Sequence, residues 1–108
     1  MAKLPPPPDT YVEFVRRYPK LGEAWQLTRE EGEEGPLDDK TVRLVKLAIA
    51  MGNMREGAVH SAVRKAMAAG ITLAEIDQVI ALTAGTLGFP STVAIYSWVR
   101  DQLADPHA

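Results

Sequence analysis

Apolar side chains along this chain recur at helical spacing, and no stretch alternates in the manner of a strand. The clearest run lies between Asp38 and Pro90. Over residues 39–52, steps of about 100° per residue place Val42, Leu44, Val45, Leu47, Ala48, Ile49 and Met51 on one wide apolar arc. Arg43, Lys46 and Asn53 share the narrow polar side. So wide an arc predicts a helix central in a bundle, with Asp38 as its N-cap. A second helix is predicted from about Met54 to Ala69, with Ala58, Val59, Ala62, Val63, Ala66 and Met67 facing inward and Gly70 as the stop. Thr72 and Glu75 form a capping-box pair ahead of Ile76, Val79, Ile80, Thr83 and Leu87. Gly88, Phe89 and Pro90 break the pattern, and Ser91 or Thr92 opens a last helix. Val93, Tyr96, Val99 and Leu103 fall on one side of it, with Ile95 and Trp98 beside them.

The N-terminal third is read the same way. Residues 1–8 end in four prolines and are expected to form a flexible, extended arm. Thr10 and Glu13 match a capping box that opens a short helix carrying Tyr11, Phe14 and Val15, closed by Pro19. A further amphipathic segment spans about Leu21 to Glu31, with Leu21, Ala24, Trp25 and Leu27 on its apolar side, before a GEEGP loop. The expectation is an all-α fold: one domain over residues 9–103, a bundle of about six helices, and a frayed tail at 104–108. Short connections predict that the third, fourth and fifth helices are antiparallel neighbours.

Composition narrows the function. The chain has 108 residues, 46% of them hydrophobic and 24% charged, with a net charge of -2. That balance lacks the basic face that nucleic acid requires. No apolar run approaches the roughly 20 residues that span a bilayer, and the N-terminus has no apolar signal core, so a cytoplasmic location is expected. A chain this short buries a modest core, so a partner surface would help it. Cysteine is absent. Disulfides, thiolate metal sites and a cysteine nucleophile are therefore excluded for this chain. No HExxH, His-rich cluster, phosphate loop or GxSxG is present, so neither metal nor cofactor is expected.

Glu56, His60 and Arg64 are spaced i, i+4, i+8. Helical geometry places Glu56 inside the edge of the apolar sector, His60 at its border and Arg64 toward the polar side. Glu56 and His60 are therefore expected to be partly buried neighbours. A carboxylate beside an imidazole can hold one tautomer and move protons. The same pair also works as a plain helix-stabilising bond. Arg43 and Lys46, with Lys40 nearby, form a basic strip that would seat an anionic substrate or serve as a solvated face. Thr83 and Thr86 lie on the inner side of their helix, lining a pocket or bonding back to carbonyls. Trp25 and Trp98 read as core or interface aromatics.

The strings LVKLAIAMGN, HSAVRKAMAAGIT, AEI and TLGFP, with a weaker echo in FVRRYPKLGEAW, resemble the carboxymuconolactone decarboxylase-like family, which includes the alkyl hydroperoxidase D-type proteins. The resemblance covers about residues 38–100. It implies an all-helical fold assembled as a homo-oligomer, a trimer or hexamer. It also implies two chemistries. The peroxidase-related branch uses a CxxC pair at the start of the fourth helix, a histidine four residues further on and a glutamate on the preceding helix. Alignment on the AAG ending at Gly70 sets Arg55 and Ala58 at the cysteine positions, Ala62 at the histidine and Arg43 at or near the glutamate. Dithiol peroxidase chemistry therefore does not carry over. The decarboxylase branch needs no cysteine, but its histidine also falls on Ala62, two residues from His60. EGAVHS resembles a cysteine-free subgroup.

Two functions follow as expectations. One is an acid–base enzyme on a small organic acid or lactone, with Glu56 and His60 moving the proton and Arg43, Lys46 and Thr83 binding substrate. The other is a non-catalytic oligomeric binding or assembly module. A third, peroxide reduction assisted by a thiol partner, would draw its sulfur from elsewhere.

Overall fold

The computed structural model describes residues 9–104. They form six α-helices: α1 (Asp9–Arg17), α2 (Pro19–Glu33), α3 (Asp39–Gly52), α4 (Glu56–Ala68), α5 (Leu73–Leu87) and α6 (Phe89–Ala104). The all-α expectation is met, with no strand among the described residues. The proline arm and the last four residues lie outside them. Two compact units divide the chain after Leu37.

The first unit contains α1 and α2. Thr10 is the second residue of α1, so it lies inside the helix and does not cap it as expected. Pro19 ends one helix and occupies the first turn of the next, where its missing N–H and fixed φ cost nothing. Helix α2 therefore starts two residues earlier than expected and also runs further, to Glu33. The helices approach closely where Gly22 meets Val15; a Cβ at Gly22 would lie 2.5 Å from the Val15 Cγ1. The Phe14 and Tyr18 rings meet at a tilt of 44°, with centroids 4.9 Å apart. Neither helix contains a fully buried residue.

The second unit, α3 to α6, holds the core. Helix α3 starts on Asp38, whose side chain accepts from the Thr41 N–H at 2.8 Å. Helix α4 ends in a Schellman turn: Ile71 N–H donates to the Ala66 carbonyl and Gly70 N–H to that of Met67, with Gly70 at φ +89°. The capping box read at Thr72 and Glu75 is present. Helix α6 begins at Phe89, two residues before the expected opening, because Gly88 at φ +91° completes the turn alone.

Leu47 and Met51 from α3, Val59, Val63 and Ala66 from α4, Ile76 and Ile80 from α5, and Ile95 and Val99 from α6 are buried together with Ile71. Helices α3 and α6 each pack on both α4 and α5, so the order round the core is α3, α4, α6, α5. Helices α4 and α5 thus sit across the core from each other instead of side by side as expected. Helix α3 is less central than its pattern predicted. Val45 and Ile49 remain exposed, since α4 and α5 cover only part of the apolar arc.

Candidate functional site on α4

The entry into α4 decides the placement of its polar stripe. Met54 takes a left-handed conformation at φ +56°, which costs a non-glycine residue about 1–2 kcal/mol. Arg55 is extended and serves as the N-cap, without a side-chain bond. Helix α4 therefore starts at Glu56, two residues later than the apolar pattern predicted. Glu56 sits at the first helical position, where a negative charge is favoured by the unpaired N–H groups and the helix dipole. Its side chain is exposed. The expectation that Glu56 is partly buried is corrected on this ground.

His60 follows one turn later and is half-buried. Its Nε2 is shielded from solvent and has no hydrogen-bond partner among the described residues. No hydrogen bond joins it to Glu56 among those residues. Arg64, one further turn along, is also half-buried, and its Nε is shielded and unpartnered in the same way. Helical steps of about 100° set these three side chains on one flank of α4, beside the buried face of Val59, Val63 and Ala66. Ala62 occupies the other flank, so His60 does not substitute for the position that Ala62 fills.

A second feature lies between α3 and α5. It is an open groove of about 540 Å³ with walls that include Leu44, Val45, Val79 and Leu82. Two of its polar side chains, Glu75 and Thr83, are bonded within the fold. Glu75 accepts from the Thr72 backbone N–H at 2.9 Å and pairs with Lys40. That lysine, together with the Thr72 bonds, draws the Glu75 carboxyl down to about 2. The Thr83 hydroxyl lies 2.7 Å from the Ile80 carbonyl and 2.9 Å from the Thr92 hydroxyl, which itself reaches the Gly88 carbonyl at 3.0 Å.

The five expected site residues therefore divide among three places. Glu56 and His60 share the α4 flank. Thr83 belongs to the wall of the groove. Arg43 and Lys46 are half-buried on the side of α3 about 180° from the groove-lining Thr41, Val45 and Ala48. Both basic groups already have interaction partners. The groove itself was not anticipated. Its signal was the apolar surplus on α3, read as central packing. No cluster of three potential metal ligands occurs among the described residues, and no described helix is long and apolar enough to cross a membrane.

No curated protein and no solved structure matches the chain. The sequence model of the Carboxymuconolactone decarboxylase family matches residues 19–101, taking in α2 to α5 whole and most of α6. With a match of that span over an all-helical chain, the protein belongs to the Carboxymuconolactone decarboxylase family.

Proposed function

We propose that this protein is a cysteine-independent acid–base enzyme acting on a small organic acid or lactone. The supporting observation is His60, whose shielded Nε2 is committed to no other group among the described residues. An imidazole nitrogen without a partner can take a proton from substrate and return it. Glu56, one turn earlier on the same flank and not bonded to the ring among the described residues, is the second proton acceptor of this reading. The substrate's own carboxylate or carbonyl needs a positive partner, and the basic residues of α3 and α4 supply candidates. Turnover of a panel of small lactones and organic acids, with product followed by NMR, tests the reading. His60→Gln should reduce turnover by roughly 10²- to 10⁴-fold, the range usual for a general acid or base. Turnover unchanged in that variant would exclude His60 from the chemistry.

A second reading, an oligomeric binding module, draws support from the groove between α3 and α5. Its walls are mainly apolar, with Leu44, Val45, Val79, Leu82 and Leu87 among them. Ile49 at 65%, Leu82 at 68% and Phe89 at 75% exposure are large apolar side chains on the same unit, and a homo-oligomer would shelter them. Light scattering measures the assembly state. Under this second reading, Glu56→Gln and His60→Gln change the melting temperature of the oligomer and leave ligand binding untouched.

A further inference from the structure

We infer that the outer face of α5 and the groove beside it form a two-fold interface between copies of this chain, with Leu82 of each copy seated in the groove of the other. The inference rests on the reading of the protein as an oligomeric module and deepens it by naming the surface and the partner. From Gln78 to Val99 the chain carries no charged residue. Those residues include most of α5. Helical steps place Ala74, Gln78, Ala81, Leu82 and Gly85 on the side of α5 opposite the buried Ile76 and Ile80, and all five are exposed. A surface helix ordinarily turns charged side chains to water, whereas a helix apolar on every side is one that packing encloses. The two acids of α5 are already taken up, Glu75 by Lys40 and Asp77 by Arg100. The outward side of α5 is therefore built like an interior surface.

This face carries both halves of a contact. Leu82 projects from it, with 68% of its surface exposed. The groove of about 540 Å³ between α3 and α5 is recessed beside it. Val45 and Ile49, also exposed, continue the apolar surface along α3. Two recesses cannot fill each other, but a two-fold axis sets each projecting leucine against the partner's recess, and the contact is made twice. The axis falls between Ala81 and Gly85, whose small side chains let the two α5 helices approach closely. A Cβ at Gly85 would meet nothing within 4 Å in its own chain, so that space is open to the partner helix.

Charge favours a second copy over another occupant. Among the groove residues and the outward residues of α5, the only charge is Glu75, which Lys40 neutralises. Nothing there attracts an acidic or a basic partner, and two identical neutral faces meet without repulsion. A small ligand fits poorly, because an open groove leaves one side of it in water, whereas ligand pockets bury most of the molecule they hold. Helix α4 lies across the core from α5, so this contact leaves the flank of His60 uncovered. Assembly through α5 and proton transfer on α4 are thus compatible in one molecule.

The test is light scattering on the full chain over a dilution series, joined to oxidative cross-linking, which the lack of native cysteine makes specific. The wild-type chain should form a dimer or an assembly with an even number of chains, and its melting temperature should rise with concentration. Leu82→Ala should raise the dissociation constant roughly 10²-fold, because each substitution is felt twice across the axis. Leu82→Glu should give a folded monomer. Gly85→Cys should oxidise to a covalent dimer, since the axis brings identical positions of the two α5 helices within the about 4.4–6.8 Å between Cα atoms that a disulfide requires. Gly57→Cys, equally exposed but on α4, should not. The cross-link decides the matter even if a Leu82 variant misfolds. An assembly that survives Leu82→Glu, an odd number of chains, or a Gly85→Cys chain that stays uncrosslinked overturns this interface and leaves the oligomeric reading standing. A wild-type chain that is monomeric at every concentration overturns both, and the face then belongs to a different protein or to a small ligand.

Discussion

The flank of α4 and the groove between α3 and α5 differ in what their polar atoms are doing. In the groove, Glu75 is tied to Lys40 and Thr72, and Thr83 is tied to Ile80 and Thr92. On α4, His60 and Arg64 each keep a shielded nitrogen with no partner among the described residues. Volume alone would favour the groove. Hydrogen-bond accounting favours α4, because a group that folding has left unsatisfied retains its interaction energy for a ligand. Internal bonding instead makes Glu75 and Thr83 part of the fold's stability.

The largest separation between the two places should appear in activity. His60→Gln should remove turnover, whereas Thr83→Val should change it less than twofold, as read from kcat and KM on the same substrate. A core change should defeat both sites together. Ile76→Ala deletes a fully buried side chain from α5 and should cost about 2–5 kcal/mol in urea unfolding. Thr72→Ala breaks the capping box at the rim of the groove and should cost about 1 kcal/mol, with turnover intact. Arg64→Gln should leave stability nearly unchanged, since it removes no bond made within the described residues. That contrast with Thr72→Ala is the sharpest form of the comparison.

Acid titration supplies a finer check. The Glu75 carboxyl is lowered to about 2, first by Lys40 and then by the Thr72 backbone bond, and Asp38 is lowered in the same direction by its bonds to Thr41. A folded-state value below the unfolded one stabilises the fold at pH values above the unfolded pKa, near 4.5 for Glu75. That stabilisation is lost as pH falls from there through about 2. Glu75→Gln should therefore flatten stability against pH in this window and leave the neutral-to-basic range parallel to wild type. A wild-type curve already flat below pH 4.5 would contradict the network at the rim.

Three local signals were read correctly, although the Thr10–Glu13 box was not. Asp38, the Thr72–Glu75 box and the glycine stop at Gly70 depend on backbone groups within a few residues, so side-chain type suffices to place them. The start of α4 was misread because Met54 looks like any apolar helix residue, whereas its positive φ is imposed by the turn that links α3 to α4. That shift of two residues moved Glu56 to an exposed helix end. His60 and Arg64 could be picked out by spacing, but whether their nitrogens were shielded or paired could not.

Helical periodicity, the absence of cysteine and the helix caps follow from sequence alone. Each depends on residue type and on neighbours along the chain, and together they determine the all-α fold and rule out a resident dithiol. Helix order round the core, the exposure of the surplus apolar arc on α3 and the separation of Arg43 and Lys46 from Thr83 were decided only in three dimensions. Those features depend on which faces of distant segments cover one another. The same coverage determines whether a polar atom finds a partner, so the chemistry of α4 emerges only once the bundle has closed.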